Sequence, residues 1–65
     1  MTNFEKENWI CNIENAAADV AALLGKETVR HVLRKYGASS IENLAPQYFG
    51  EVFDELDFMA NDAHD

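Results

Sequence analysis

Cys11 and His31 are the first residues of this 65-residue chain to weigh for chemistry, a thiol that could attack and an imidazole that could take its proton. Nucleophilic catalysis needs both in hydrogen-bond reach, with a third group to orient the base. Nothing in the sequence draws Cys11 to His31, and no third group stands beside either. Cys11 sits on a helix flank among small apolar residues, where a free cysteine behaves as a small hydrophobe. His31 follows Glu27 by four residues, the spacing of a solvated pair on one helix face. The other histidine, His64, falls in an expected frayed tail.

Carboxylates are the other chemical resource, with Asp54 near Asp57 and Glu51 near Glu55. General acid–base work requires such pairs in a cleft that drives their pKa values apart. A chain this short offers little cleft, so they read as a solvated acidic face. Metal binding lacks its patterns: there is no CxxC, no histidine pair at i, i+4, and no D-x-D-x-D-G loop with a closing glutamate. Neither a Walker A motif nor GxGxxG is present. No catalytic residue, metal or cofactor is therefore assigned, and a non-enzymatic protein is expected.

The charges are distributed unevenly. Twelve Asp and Glu against five Lys and Arg give a net charge of -7. Every Lys and Arg lies at or before Lys35. Lys26, Arg30, Arg34 and Lys35 crowd one segment, and seven acids follow with no Lys or Arg among them. Such polarity steers encounters with partners of opposite sign. The net charge disfavours general attraction to nucleic acid or anionic membranes. Direct nucleic-acid binding through the basic segment 26–36 is an alternative weakened by Pro46, which would break a recognition helix opening near Ser40. An acidic helix that imitates phosphates and fills a nucleic-acid-binding groove is the stronger alternative.

The elements that would carry these groups are helical throughout. Thr2 with Glu5 forms a capping-box pattern, and Gly25 suits a helix stop, which predicts a first helix over Asn3–Leu24. Ile10, Ile13, Ala17, Val20 and Leu24 share its inner face. A second helix, Glu27–Tyr36, ends at Gly37 and turns Val29, Val32, Leu33 and Tyr36 inward. Ser39 with Glu42 reads as another capping box, opening a short turn at Ser40–Leu44. Pro46 suits the first position of a last helix reaching Asn61. That helix buries Phe49, Val52, Phe53, Leu56, Met59 and Ala60. The expected fold is all-α: a compact three-helix bundle with an additional short helical turn, one domain over 1–65, with 62–65 as a disordered tail.

Two surfaces do not fit a self-contained bundle. The first helix carries Trp9, Ala16 and Leu23 on one flank, and Phe4, Cys11, Ala18 and Ala22 on the other. A helix apolar nearly all round is normally buried nearly all round, and a domain of this size has a marginal core. A lone cysteine rules out an internal disulfide and fits a reducing compartment. Association of two copies is then the expected stabiliser, with Trp9, Ile13, Ala16, Val20 and Leu23 as the homodimer interface. The second surface is Phe58, which points almost opposite to Phe49 and Leu56. Glu51, Asp54, Glu55 and Asp62 surround it, an aromatic anchor within a carboxylate rim. These five are the expected contact with a protein partner bearing a basic surface.

The segment VRHVLRKYGASSIENLAPQYFGEVFDELDFMAND, the second half of the chain, resembles small acidic accessory proteins of bacterial phages and conjugative elements. That resemblance implies a small regulator or inhibitor acting through another protein, and assigns no residue a role. The N-terminal MTNFEKENW has no apolar h-region, and no run approaches the roughly 20 apolar residues of a bilayer span. A cytoplasmic protein with no membrane partner is expected.

Overall fold

The computed structural model describes residues 2–64, with side chains described through Asp62. Three α-helices follow in order: α1 (Asn3–Leu24), α2 (Lys26–Lys35) and α3 (Phe49–His64), the last entered through a 3-10 turn at Pro46–Tyr48. No strand occurs among the described residues. The fold is the expected all-α bundle. At 1.5 Å per residue, α1 is about 33 Å long, and it sets the long axis of a molecule measuring 36 × 19 × 15 Å.

The helix ends follow from local chemistry. Thr2 Oγ1 accepts the Glu5 backbone N–H at 3.1 Å and donates to Glu5 Oε1 at 3.2 Å, so one hydroxyl makes both contacts. Gly25 closes α1 and opens α2 by itself. Its N–H donates to Ala21 O and its carbonyl accepts from Thr28 N, at φ +96°. A single residue thus turns the chain between two helices, in a backbone conformation that favours glycine. At the far end of α2, Ala38 N–H reaches Leu33 O and Gly37 N–H reaches Arg34 O, both at 3.0 Å, with Gly37 at φ +75°. This is a Schellman stop, and buried Ala38 supplies the apolar contact that accompanies it.

Three boundaries differ from expectation. Helix α2 starts and ends one residue early, because Tyr36 already leaves helical geometry as the C-cap. The first turn after Pro46 is 3-10, closed by Tyr48 N–H to Ala45 O at 2.9 Å. The short turn at Ser40–Leu44 forms through Asn43 N–H to Ser40 O and Leu44 N–H to Ile41 O, without a Ser39 side-chain cap. Helix α3 continues through His64, since no glycine or proline interrupts the sequence after Gly50. Asp65 lies outside the described residues, as do the side chains of Ala63 and His64.

The core lies where the three helices meet. Ile13, Val20, Val32, Phe49, Val52 and Leu56 are the largest fully buried side chains. Leu44 and Ala38 join them from the connection between α2 and α3. Leu24, expected on the inner face of α1, is exposed at the last position of the helix. Helix α1 packs mainly on α3 and less on α2, while α2 and α3 touch least.

Candidate interaction face

The flank of α1 expected to form a homodimer is largely occupied within one chain. Ile13 and Val20 are completely buried and Ala16 is buried, all in the core of the monomer. Trp9 is half-buried. Its ring centroid lies 6.4 Å from that of Phe49 and 6.3 Å from that of Phe53, the latter edge-on. Gly50, without a side chain, lies beneath the indole: a Cβ there would sit 3.9 Å from Trp9 Cη2. The interface assignment of Ile13, Ala16 and Val20 is therefore corrected. The aromatic residues of α3 complete the cover that the sequence alone left open. Leu23 stays exposed, as do Phe4 and Leu24, but Phe4 and Leu23 stand at opposite ends of the helix and form no continuous seam.

The Phe58 face is a different case. Phe58 is 70% exposed and contributes nothing to the core. It shares a shallow concavity with Asp54, Asp57, Asn61 and Asp62. Asn61 Nδ2 donates to Asp57 Oδ2 at 3.3 Å, one helical turn away. Glu51 is exposed two turns before Phe58. Among the described residues, no ion pair engages Glu51, Asp54, Asp57 or Asp62. Asp57 and Asn61 are the concavity's additions to the expected set. Their signal was the i, i+4 spacing of the two residues that flank Phe58 on its helix.

Glu55 has to be removed from the exposed acidic face. It is half-buried and turned toward α2. Its Oε1 accepts the Tyr36 hydroxyl at 3.1 Å, and its Oε2 lies 2.5 Å from Lys35 Nζ. Oε2 is itself buried, with the Lys35 ammonium as its ion-pair partner. Hydrogen bonding to Glu55 raises the Lys35 pKa above its ordinary 10.5, with desolvation opposing. Desolvation raises the Tyr36 phenol above 10.0, and the bond to Glu55 adds to it. Tyr36 also packs its ring 5.3 Å from that of Tyr48. Glu55 therefore clamps the end of α2 to α3.

The basic segment is partly neutralised by the same means. Arg30 pairs with Glu27 at 2.6 Å, both exposed, a contact of small energetic weight. Glu27 was the expected partner of His31, and Arg30 takes it instead; His31 is simply exposed on α2. Cys11 is an exposed free thiol whose neighbour is the Asn15 amide at 4.0 Å. Neither Cys11 nor His31 lines a groove described here.

A second concavity lies between α1 and α2. Ala17, Ala18 and Ala21 of α1 form its floor with Val29 and Ile41, while Lys26 and Arg30 stand on the α2 rim. The sequence places these residues on two helices and, for Ile41, in the connection after α2, and only their packing brings them together.

Comparison of the chain with protein-family models, curated proteins and solved structures finds no match. Among the described residues, no helix is long and apolar enough to cross a membrane.

Proposed function

We propose that this chain is a non-enzymatic interaction module, a small regulator or inhibitor that engages a protein partner through the outer face of α3. The observation that carries this reading is Phe58, a large aromatic side chain held 70% exposed on α3, beside carboxylates that make no ion pair among the described residues. An aromatic anchor desolvates on binding, and the surrounding acids select a pocket edged by Lys or Arg. Glu51, Asp54, Asp57, Phe58 and Asp62 form the contact in this reading. Glu55 holds the helix in place behind them. The partner sought is a protein with a basic surface.

The test is affinity capture from a bacterial extract with wild-type and Phe58→Ala baits, side by side. A protein retained by the first and lost from the second, at equal bait stability, supports the reading. Equal capture by both baits excludes Phe58 as the anchor.

A second reading, mimicry of nucleic acid, draws on the same free carboxylates along α3. It predicts that the captured protein binds duplex DNA, that DNA displaces the chain, and that affinity falls steeply with salt. Direct nucleic-acid binding through α2 would instead give a gel shift abolished by Arg30→Glu and Arg34→Glu.

A further inference from the structure

The Phe58 face is aromatic and acidic, while the α1–α2 groove is apolar with Lys26 and Arg30 along one side. One is an aromatic side chain projecting among Asp54, Asp57 and Asp62. The other is an apolar trough with about 340 Å³ of open space, floored by alanines and edged by Lys26 and Arg30. The alanines leave room for a ring to approach the α1 backbone, and Val29 and Ile41 are half-buried, offering apolar contact. Glu14 lines the α1 side of the same trough. Arg30 is already paired with Glu27, so Lys26 is the rim cation that makes no ion pair among the described residues, and incoming carboxylates are favoured over Lys26, away from Glu14.

We infer that a second copy of this chain seats its Phe58 in the α1–α2 groove of the first, so that the protein associates head to tail. This rests on the reading of the α3 face as an interaction surface, and it names an occupant for the groove as well. The two contact surfaces differ, so each added copy leaves one Phe58 and one groove free. Such an interface grows into a ring or an open filament rather than stopping at a symmetric pair. It also makes self-association compete with any foreign partner for Phe58. Repulsion between chains of charge -7 opposes contact, but at physiological salt it is screened beyond about 8 Å. The close pairs at the groove rim are screened less.

The experiment uses the intact chain at about 0.15 M salt, where screening takes that form, with two variants. Phe58→Ala removes the projecting ring, and Ala18→Glu fills the exposed floor of the groove with a repelling charge. Light scattering over a concentration series reads the mass. Wild type should pass beyond two chains per particle, and each variant alone should show an association constant lower by about tenfold or more. Mixing the two variants should restore one intact contact and give a one-to-one pair that grows no further. Circular dichroism melts verify that both variants fold, with Asp57→Lys and Lys26→Glu as replacements if either does not. A wild-type chain that is monomeric throughout overturns the inference, as does a mixture that fails to pair. A wild-type dimer insensitive to Phe58→Ala does so as well. In each of those cases the capture experiment still decides the proposed function separately, since loss of a foreign partner from the Phe58→Ala bait needs no self-association.

Discussion

The Tyr36 hydroxyl donates to Glu55 Oε1 at 3.1 Å across the gap between α2 and α3, the least packed pair of helices in the bundle. The other oxygen of the same carboxylate meets Lys35. One acid thus holds the C-terminal end of α2 at two points, close to where Gly37 turns the chain away. The arrangement also separates two kinds of carboxylate on α3. Glu55 belongs to the scaffold, whereas Glu51, Asp54, Asp57 and Asp62 face solvent.

This clamp predicts an alkaline weakness. Lys35 and Tyr36 both have folded-state pKa values raised above their ordinary 10.5 and 10.0. A raised pKa means the folded state holds its proton more tightly, so the stabilisation is complete below the unfolded value and is lost as pH rises through the folded one. Melting temperature should therefore be level from neutral pH to about pH 9 and fall above about pH 10. In Glu55→Gln the starting value should be lower and the alkaline fall shallower, because the charge that holds the Lys35 proton is gone. Thermal melts across that range check both; an equally steep fall in the variant would contradict the assignment to Glu55.

Phenylalanine truncation should separate core from surface. Phe49 is buried among all three helices, and Phe49→Ala should cost about 3–5 kcal/mol, enough to unfold much of so small a domain. Phe58→Ala removes a ring that touches solvent and should change stability by no more than about 0.5 kcal/mol. Urea titrations of the two variants measure the contrast. A large loss in Phe58→Ala would show that the ring packs inward.

The three glycines should respond with opposite signs. Alanine at Gly25 or Gly37 is forced into a left-handed backbone region, at a cost of about 1 kcal/mol or more. Gly50 lies within α3 at ordinary helical geometry, and an added Cβ meets only Trp9 Cη2 at van der Waals distance. Gly50→Ala should therefore stabilise, by up to about 1 kcal/mol through reduced chain entropy. Denaturant midpoints of the three variants decide it, and a destabilised Gly50→Ala would mean that Trp9 sits tighter on α3 than 3.9 Å allows.

Charge reversal at Glu51 and Asp54 should act on encounter. Replacing both with Lys removes part of the acidic field without touching Glu55 or the core. With a basic partner, the association rate should fall by roughly tenfold or more at low salt and the difference should shrink as salt rises, while dissociation changes less. Surface plasmon resonance at two salt concentrations separates the two rates. A change confined to dissociation would place these acids in direct contact rather than in steering.

How far the sequence reaches can be judged at particular residues. Thr2 and Gly25 mark the ends of α1 to within a residue, and Gly37 and Pro46 mark the end of α2 and the entry to α3 more loosely, because capping, positive φ and a missing N–H are local properties. The three- and four-residue spacing around Ile13, Val32 and Leu56 likewise identifies the inner faces. The direction of Phe58 was legible too, since 100° per residue places it away from Phe49. What one helix does to another was not. Trp9, Ala16 and Leu23 read as surplus apolar surface on α1, and only packing showed Phe49, Phe53 and Gly50 arriving to cover Trp9. Glu55 read as one more surface acid, and only the approach of α2 turned it into a clamp for Tyr36 and Lys35. The α1–α2 groove was invisible, because its lining comes from two helices and from Ile41 in the connection after them. Local conformation depends on neighbours in the chain and is written there; burial and pairing depend on neighbours in space, and those exist only once the helices have packed.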